Sequence, residues 1–314
     1  MRTKLIYAAL AAILSASCSN ELTEATQQNE TSETSKLNLV LSMPATSRAG
    51  FTPKTEWQTN DKIGLFLYKS SGWGEDYPRN DDSEINNEST KTTNGWEQTS
   101  PIYLLSERGT IWTYYPYNSN ATDGTKIPVP INVNTHIDYM WGKSTNQVCV
   151  GETDAIIPMK HALSQFVVRL KVSPEYHNDG VLTSAKLKST AAKFGTNGTM
   201  NLNNNGKITF SPTETELSWA PNTVIPVTGQ PAVDFAAAVY PMTLKTGEVT
   251  LEVVIDNFTY TYSIPQITWE AGKRYIYSIT MQSNSVEIGG ENGQSITIED
   301  WTSSESDITL TPVK

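Results

Sequence analysis

Val249-Thr-Leu-Glu-Val-Val-Ile255, Asp256-Asn257, Phe258-Thr-Tyr-Thr-Tyr-Ser-Ile264 is the stretch that decides the fold. Val249, Leu251, Val253 and Ile255 alternate with neighbours that are mostly polar, and Phe258, Tyr260, Tyr262 and Ile264 do the same. A period of two puts each set on one face of a β-strand. Asp and Asn tolerate the left-handed backbone of a tight hairpin turn, so Asp256-Asn257 reads as the connection between two antiparallel strands.

The pattern recurs on both sides of this hairpin. Towards the C-terminus, Tyr275, Tyr277, Ile279 and Met281 alternate after the turn-like Ala271-Gly-Lys273. Towards the N-terminus, residues 235–240 are a continuous apolar run, as in a strand buried on both faces. Residues 199–202 and 207–210 flank Asn203-Asn-Asn-Gly206, a second hairpin signal. Residues 165–172 place Phe166, Val168, Leu170 and Val172 on one face and Arg169 and Lys171 on the other. Residues 127–133 carry two prolines, which suits an edge strand. Residues 111–115 and 63–68 are further strand-like runs. The first strand is Leu37-Asn-Leu-Val-Leu-Ser-Met43, with Leu37, Leu39, Leu41 and Met43 on its apolar face and Pro44 at its end. No segment sustains helical periodicity, and residues 158–165 are the best helical candidate. Residues 70–94 are loop-rich and polar and read as a long surface excursion. Many short strands between Gly, Asn and Pro turns predict an all-β chain of packed sandwiches.

Ahead of the first strand the sequence changes character. Met1-Arg-Thr-Lys4 is basic, residues 5–14 are apolar, and Ser15-Ala-Ser17 precede Cys18. That is the layout of a signal peptide, and the apolar run is too short for a membrane-spanning helix, which needs about 20 residues. The small residues before Cys18 resemble the lipobox of bacterial lipoproteins, in which the Cys carries acyl chains. Residues 19–35 are polar and acidic and are expected to be a disordered tether, with a reach of about 20–25 Å. The segments are therefore a signal peptide at 1–17, a tether at 18–35, and sandwich domains at 36–158 and 159–314, a boundary near Pro212 being the alternative.

Chemistry is scarce. The 33 acidic against 23 basic residues give a net charge of −10, which argues against nucleic acid as a partner. Cys149 is the only other cysteine, so no disulfide framework exists within the body. The three histidines, His136, His161 and His177, show no metal-ligand spacing. His136-Ile-Asp138 offers two ligands, too few for a site. His161 reads as a hydrogen-bonded packing residue. No nucleophile elbow, phosphate loop or dinucleotide fingerprint occurs. No catalytic residue, metal or cofactor is expected. Trp73, within Gly72-Trp-Gly74, is the tryptophan expected at the surface, where it would suit a sugar platform. Thr46-Ser-Arg48-Ala49-Gly50 is a small, polar connection with a basic residue, of the kind a protease reaches.

Taken in order, Cys18, the strand 37–43, Ser47-Arg-Ala49, Trp57 with Asp61-Lys-Ile-Gly-Leu-Phe66, Tyr114-Tyr-Pro-Tyr117, Asp138-Tyr-Met-Trp-Gly142, Lys160-His-Ala-Leu163 and Gly272-Lys-Arg-Tyr-Ile-Tyr277 resemble the fimbrillin family of Bacteroidales type V pili. The resemblance implies two tandem transthyretin-like β-sandwich domains and export as an outer-membrane lipoprotein, anchored through Cys18. It implies a place in the cell-surface fimbrium. It implies cleavage between Arg48 and Ala49, removing the lipid together with Leu37, Leu39, Leu41 and Met43. Other pilus subunits would then be partners by strand addition. Ile308 and Leu310, in Asp307-Ile-Thr-Leu-Thr311, are the candidate donor strand, short and limited by Pro312. The alternative is a surface lipoprotein that binds glycans, and a host ligand stays open under either reading.

Overall fold

The structure, a computed structural model, describes residues 34–44, 54–78, 84–133, 137–281, 286–287, 297–300 and 311–312. Within them the fold is all-β, as the alternation predicts, apart from one turn of 3-10 helix at Leu202–Asn204. The described residues belong to one compact unit.

Three large sheets stack around three cores. The first has seven strands, in the order Asn38–Ser42, Asp154–His161, Met140–Lys143, Gly109–Tyr115, Lys62–Lys69, Asn87–Thr92 and Gly95–Gln98. Only its first pair is parallel. The second is built on Ser164–Val172, which lies between Val233–Val239 and Lys273–Met281, the latter pairing being parallel. The third runs Glu216–Trp219, Val181–Ser189, Val249–Ile255, Phe258–Ser263 and Thr311–Pro312, with Thr223–Val224 also on Val181–Ser189.

Strand alternation distributes side chains between the cores. Phe166, Val168 and Leu170 face Leu187, Leu251 and Val253 between the second and third sheets. Val167, Ala236, Ala238 and Ile276, on the other face of the second sheet, pack with Phe66, Trp112 and Tyr114 of the first. Ile63, Leu65 and Leu67 point away from that layer and join Leu37, Leu39, Ile102 and Ile157 in the third core. Because both faces of Ser164–Val172 are covered, Arg169 is buried, where the sequence placed it on the outer face. It survives there by a bidentate pair with Asp234 at 2.6 Å and 2.6 Å, its register partner on the adjacent strand.

The hairpin forms as expected. Val249–Ile255 pairs with Phe258–Ser263, and Asp256 and Asn257 have φ of 50° and 65°. The second hairpin joins Asn197–Asn201 to Lys207–Phe210. Gly206 there has φ of 66° and lies so close to Trp141 that a Cβ would sit 2.1 Å from its ring. Ile127–Pro130 adds to this hairpin as the edge of a three-stranded sheet, tying the two halves of the chain together.

Two segments take their structure from their partners. Residues 158–165 are not helical: the strand Asp154–His161 ends, the chain crosses at Ala162 and Leu163, and Ser164–Val172 begins in the next sheet. Burial in two sheets outweighs the helix propensity of Ala162 and Leu163, which tertiary packing readily overrides. Pro158 falls inside the first of these strands, where pairing to Asn38–Ser42 ends and pairing to Met140–Lys143 begins. Residues 70–94 are not all loop either, since Asn87–Thr92 pairs with Lys62–Lys69 and forms a hairpin with Gly95–Gln98. Its Asn, Thr and Lys side chains hide a strand whose place is set by its partners.

Candidate functional site: the first strand and its groove

The N-terminal segment pairs twice. Ser35–Lys36 pairs antiparallel with Tyr103–Leu104. The chain then changes partner: Leu37 N–H donates to Ile102 O at 2.8 Å, and Asn38 N–H donates to Thr153 O at 3.0 Å. From Asn38 to Ser42 it runs parallel to Asp154–His161, in register from Asn38 with Asp154 to Ser42 with Pro158. Asn38 Nδ2 also donates to Asp154 Oδ1 at 2.8 Å. Gln98 Nε2, on the far end strand of the same sheet, donates to Leu37 O at 3.3 Å, so the sheet curls until its two ends meet.

The four predicted apolar positions sit as expected on one core. Leu37 and Leu39 are 2% and 5% exposed, and Leu41 and Met43 are partly buried against the same cluster. Full burial of a Leu contributes about 1.5–3 kcal/mol. On the outer face Val40 and Ile156 lie side by side across the ladder, 45% and 50% exposed. From Asn38 to Ser42 the strand is therefore held by one row of side chains and one ladder of hydrogen bonds, to a partner 116 residues away. Among the described residues, no hairpin locks it in place. Its removal would uncover the Leu37 and Leu39 sockets and the backbone groups of residues 154–158, which is the kind of edge an added strand completes.

Immediately beyond the connection, the chain is fastened again. Lys54 N–H donates to Asp138 Oδ2 at 2.9 Å, and Asp138 Oδ1 meets His161 Nδ1 at 2.8 Å. Lys54 Nζ lies 2.7 Å from Asp61 Oδ2, which also accepts from Gln58 N–H at 2.7 Å. Trp57 stands edge-on to Trp96 at 4.9 Å and to Tyr115 at 5.5 Å. The Tyr115 hydroxyl is pushed up to about 12, by burial first and then by the charges of Asp61 and Asp138.

Cys18, Arg48, Ala49, Ile308 and Leu310 lie outside the described residues. Beside the candidate donor, Thr311 and Pro312 pair with Thr261 and Tyr260 on the strand Phe258–Ser263. His161 is hydrogen-bonded, as its sequence context suggested, but its partner is Asp138, which the sequence had grouped with His136. Trp73 is not a free surface ring. It is half-buried against Tyr68 at 4.8 Å, Trp112 at 5.1 Å and Phe66 at 5.9 Å. Cys149 is a buried free thiol. Among the described residues, no group of three His, Cys, Asp or Glu could hold a metal ion.

A family model described as fimbrillin-like matches residues 47–301. The chain belongs to the fimbrillin-like family. Among solved structures, this fimbrillin-like chain is similar to a provisionally assigned cell adhesion protein of Bacteroides ovatus. The two are 18% identical with a TM-score of 0.64, over 87% of this chain and 100% of that one. A provisionally assigned cell adhesion protein of Bacteroides uniformis gives 19% identity and a TM-score of 0.61, over 86% and 99%. A fimbrial protein of Bacteroides vulgatus gives 18% and 0.53, over 85% and 99%. At these identities the likeness is one of fold. No curated protein matches this fimbrillin-like chain.

Proposed function

We propose that this fimbrillin-like protein is a structural or accessory subunit of an adhesive surface fimbrium and has no catalytic role. It reaches the outer membrane as a lipoprotein acylated at Cys18. Cleavage between Arg48 and Ala49 then releases the lipid with the strand that bears Leu37, Leu39, Leu41 and Met43. A strand from another subunit fills the vacated groove, in the domain formed by residues 36–158. The domain of residues 159–314 carries the candidate donor, Ile308 and Leu310.

One observation carries this reading. The first strand is a parallel end strand, filled by two buried leucines, and the connection that contains Arg48 follows it directly. A parallel partner reached only through the N-terminus can be exchanged without disturbing any hairpin.

The test is the mass of the protein retained in, and shed from, the outer membrane of its native host. A form beginning at Ala49 in high-molecular-weight assemblies supports exchange. A monomer still acylated at Cys18 contradicts it and points to a tethered lipoprotein.

A further inference from the structure

The acceptor strand and the start of the body share one carboxylate. Asp138 is buried and uses both oxygens: one for His161, which sits at the end of the acceptor strand Asp154–His161, the other for Lys54 N–H. A carboxylate accepting from a main-chain N–H makes one of the stronger hydrogen bonds in a protein. Asp61 repeats the device a turn later, accepting from Gln58 N–H and pairing with Lys54 Nζ, which also lies 5.3 Å from the centre of the Tyr115 ring. Between these two fastenings Trp57 packs on the core that takes Leu41 and Met43.

We infer that Asp138 and Asp61 pin residues 54–61 as a fixed post, so that Trp57 stands as a permanent wall of the groove. The inference rests on the reading that the first strand leaves. Without a post, loss of that strand would let the chain fray towards Lys62–Lys69, and the groove would lose Trp57 together with Leu41 and Met43. With it, the wall and the acceptor strand are joined through Asp138 by contacts that include no atom of the first strand. Asp138 and Asp61 are thus positioning residues for strand acceptance. They act through Lys54 and Trp57 and need not touch the incoming strand.

The experiment is limited proteolysis of the folded full chain with a lysine-specific protease, following cuts after Lys54 by mass spectrometry. Cuts after Lys186 and Lys188, inside the strand Val181–Ser189, report global unfolding. In the native chain Lys54 is expected to resist. Asp138→Ala is expected to speed the cut after Lys54 at least about tenfold, since opening follows loss of a hydrogen bond to a charged group. Cuts after Lys186 and Lys188 stay slow. Asp138→Asn keeps an acceptor for Lys54 N–H and restores much of the protection. If Asp138→Ala unfolds the whole chain, Asp61→Ala carries the test, with the same direction expected. Equal rates at Lys54 in the native chain and in the alanine variants overturn the post. Prior digestion with an arginine-specific protease separates the two readings. Release of the segment before Ala49 with Lys54 still resistant supports the post. Release followed by rapid cutting at Lys54 overturns it. No cut at Arg48 with Lys54 resistant overturns the processing scheme and leaves the post standing.

Discussion

Asp256 shows how much one side chain can hold. At the hairpin turn it accepts from Tyr176 Oη, from Gly180 N–H at 2.9 Å and from Val181 N–H at 2.8 Å. Burial works to raise its carboxyl, but those three donors outweigh burial and hold it below the usual carboxylate range. A carboxyl lowered in the folded state stabilises above its unfolded value of about 3.9. That contribution is lost as pH falls through the folded value. Thermal unfolding from pH 6 downwards is expected to show a larger acid loss in the native chain than in Asp256→Asn. Asp256→Ala, which orphans the donors, is expected to cost about 1–3 kcal/mol in chemical denaturation. Gly64 makes a steric prediction. A Cβ there would lie 2.2 Å from the Tyr114 ring, which rests on the strand at that point. Gly64→Ala is expected to destabilise by about 1–3 kcal/mol through overpacking, read by the same denaturation. The turn role of Asp256 was legible because Asp-Asn sits between two alternating runs. Its grip on residues 176–181 was not, because those donors lie 75 to 80 positions away. The Asp138–His161 pair escaped for the same reason, a separation of 23 residues.

Elements whose own residues specify them were readable. The hairpin 249–264 and the first strand show their faces in the alternation of side chains, and the run 63–68 reads as a strand from its continuous apolar stretch. Elements specified by partners were not. Asn87–Thr92 has no apolar face of its own and exists because Lys62–Lys69 offers an edge. Residues 158–165 look weakly helical until two sheets compete for their ends. The apolar face of the first strand could be read, but its parallel pairing could not, since nothing near residue 38 points to residue 154. The strand supplies its own test. Leu39→Ala empties a buried socket and is expected to cost about 2–5 kcal/mol. Val40→Ala, on the exposed face, is expected to stay within about 0.5 kcal/mol. Equal losses in urea denaturation would show that the strand is not seated as described.

At the scale of the whole chain, the middle sheet does double service. Its Phe166 face closes one core and its Val167 face another, the second shared with Phe66 and Trp112 from the N-terminal sheet. Tyr240 Oη donates to Val129 O, and Ile127–Pro130 pairs with Asn197–Asn201, so hydrogen bonds also cross between the halves. Thermal unfolding of the body is therefore expected as one cooperative transition. Residues 159–314 expressed alone are expected to expose the Val167, Ala236 and Ala238 face and to bind an apolar dye. The all-β class, the first strand and the family were legible in the amino-acid sequence. This shared core was not, because alternation says which residues are buried but not against what. The central claim is that the first strand is replaceable. It is tested most directly by cutting the purified full chain with an arginine-specific protease and following mass and size together. The account predicts a body that begins at Ala49, loses the segment carrying Leu37 to Met43, and grows into a ladder of oligomers. A cut chain that keeps that segment bound and stays monomeric would contradict it.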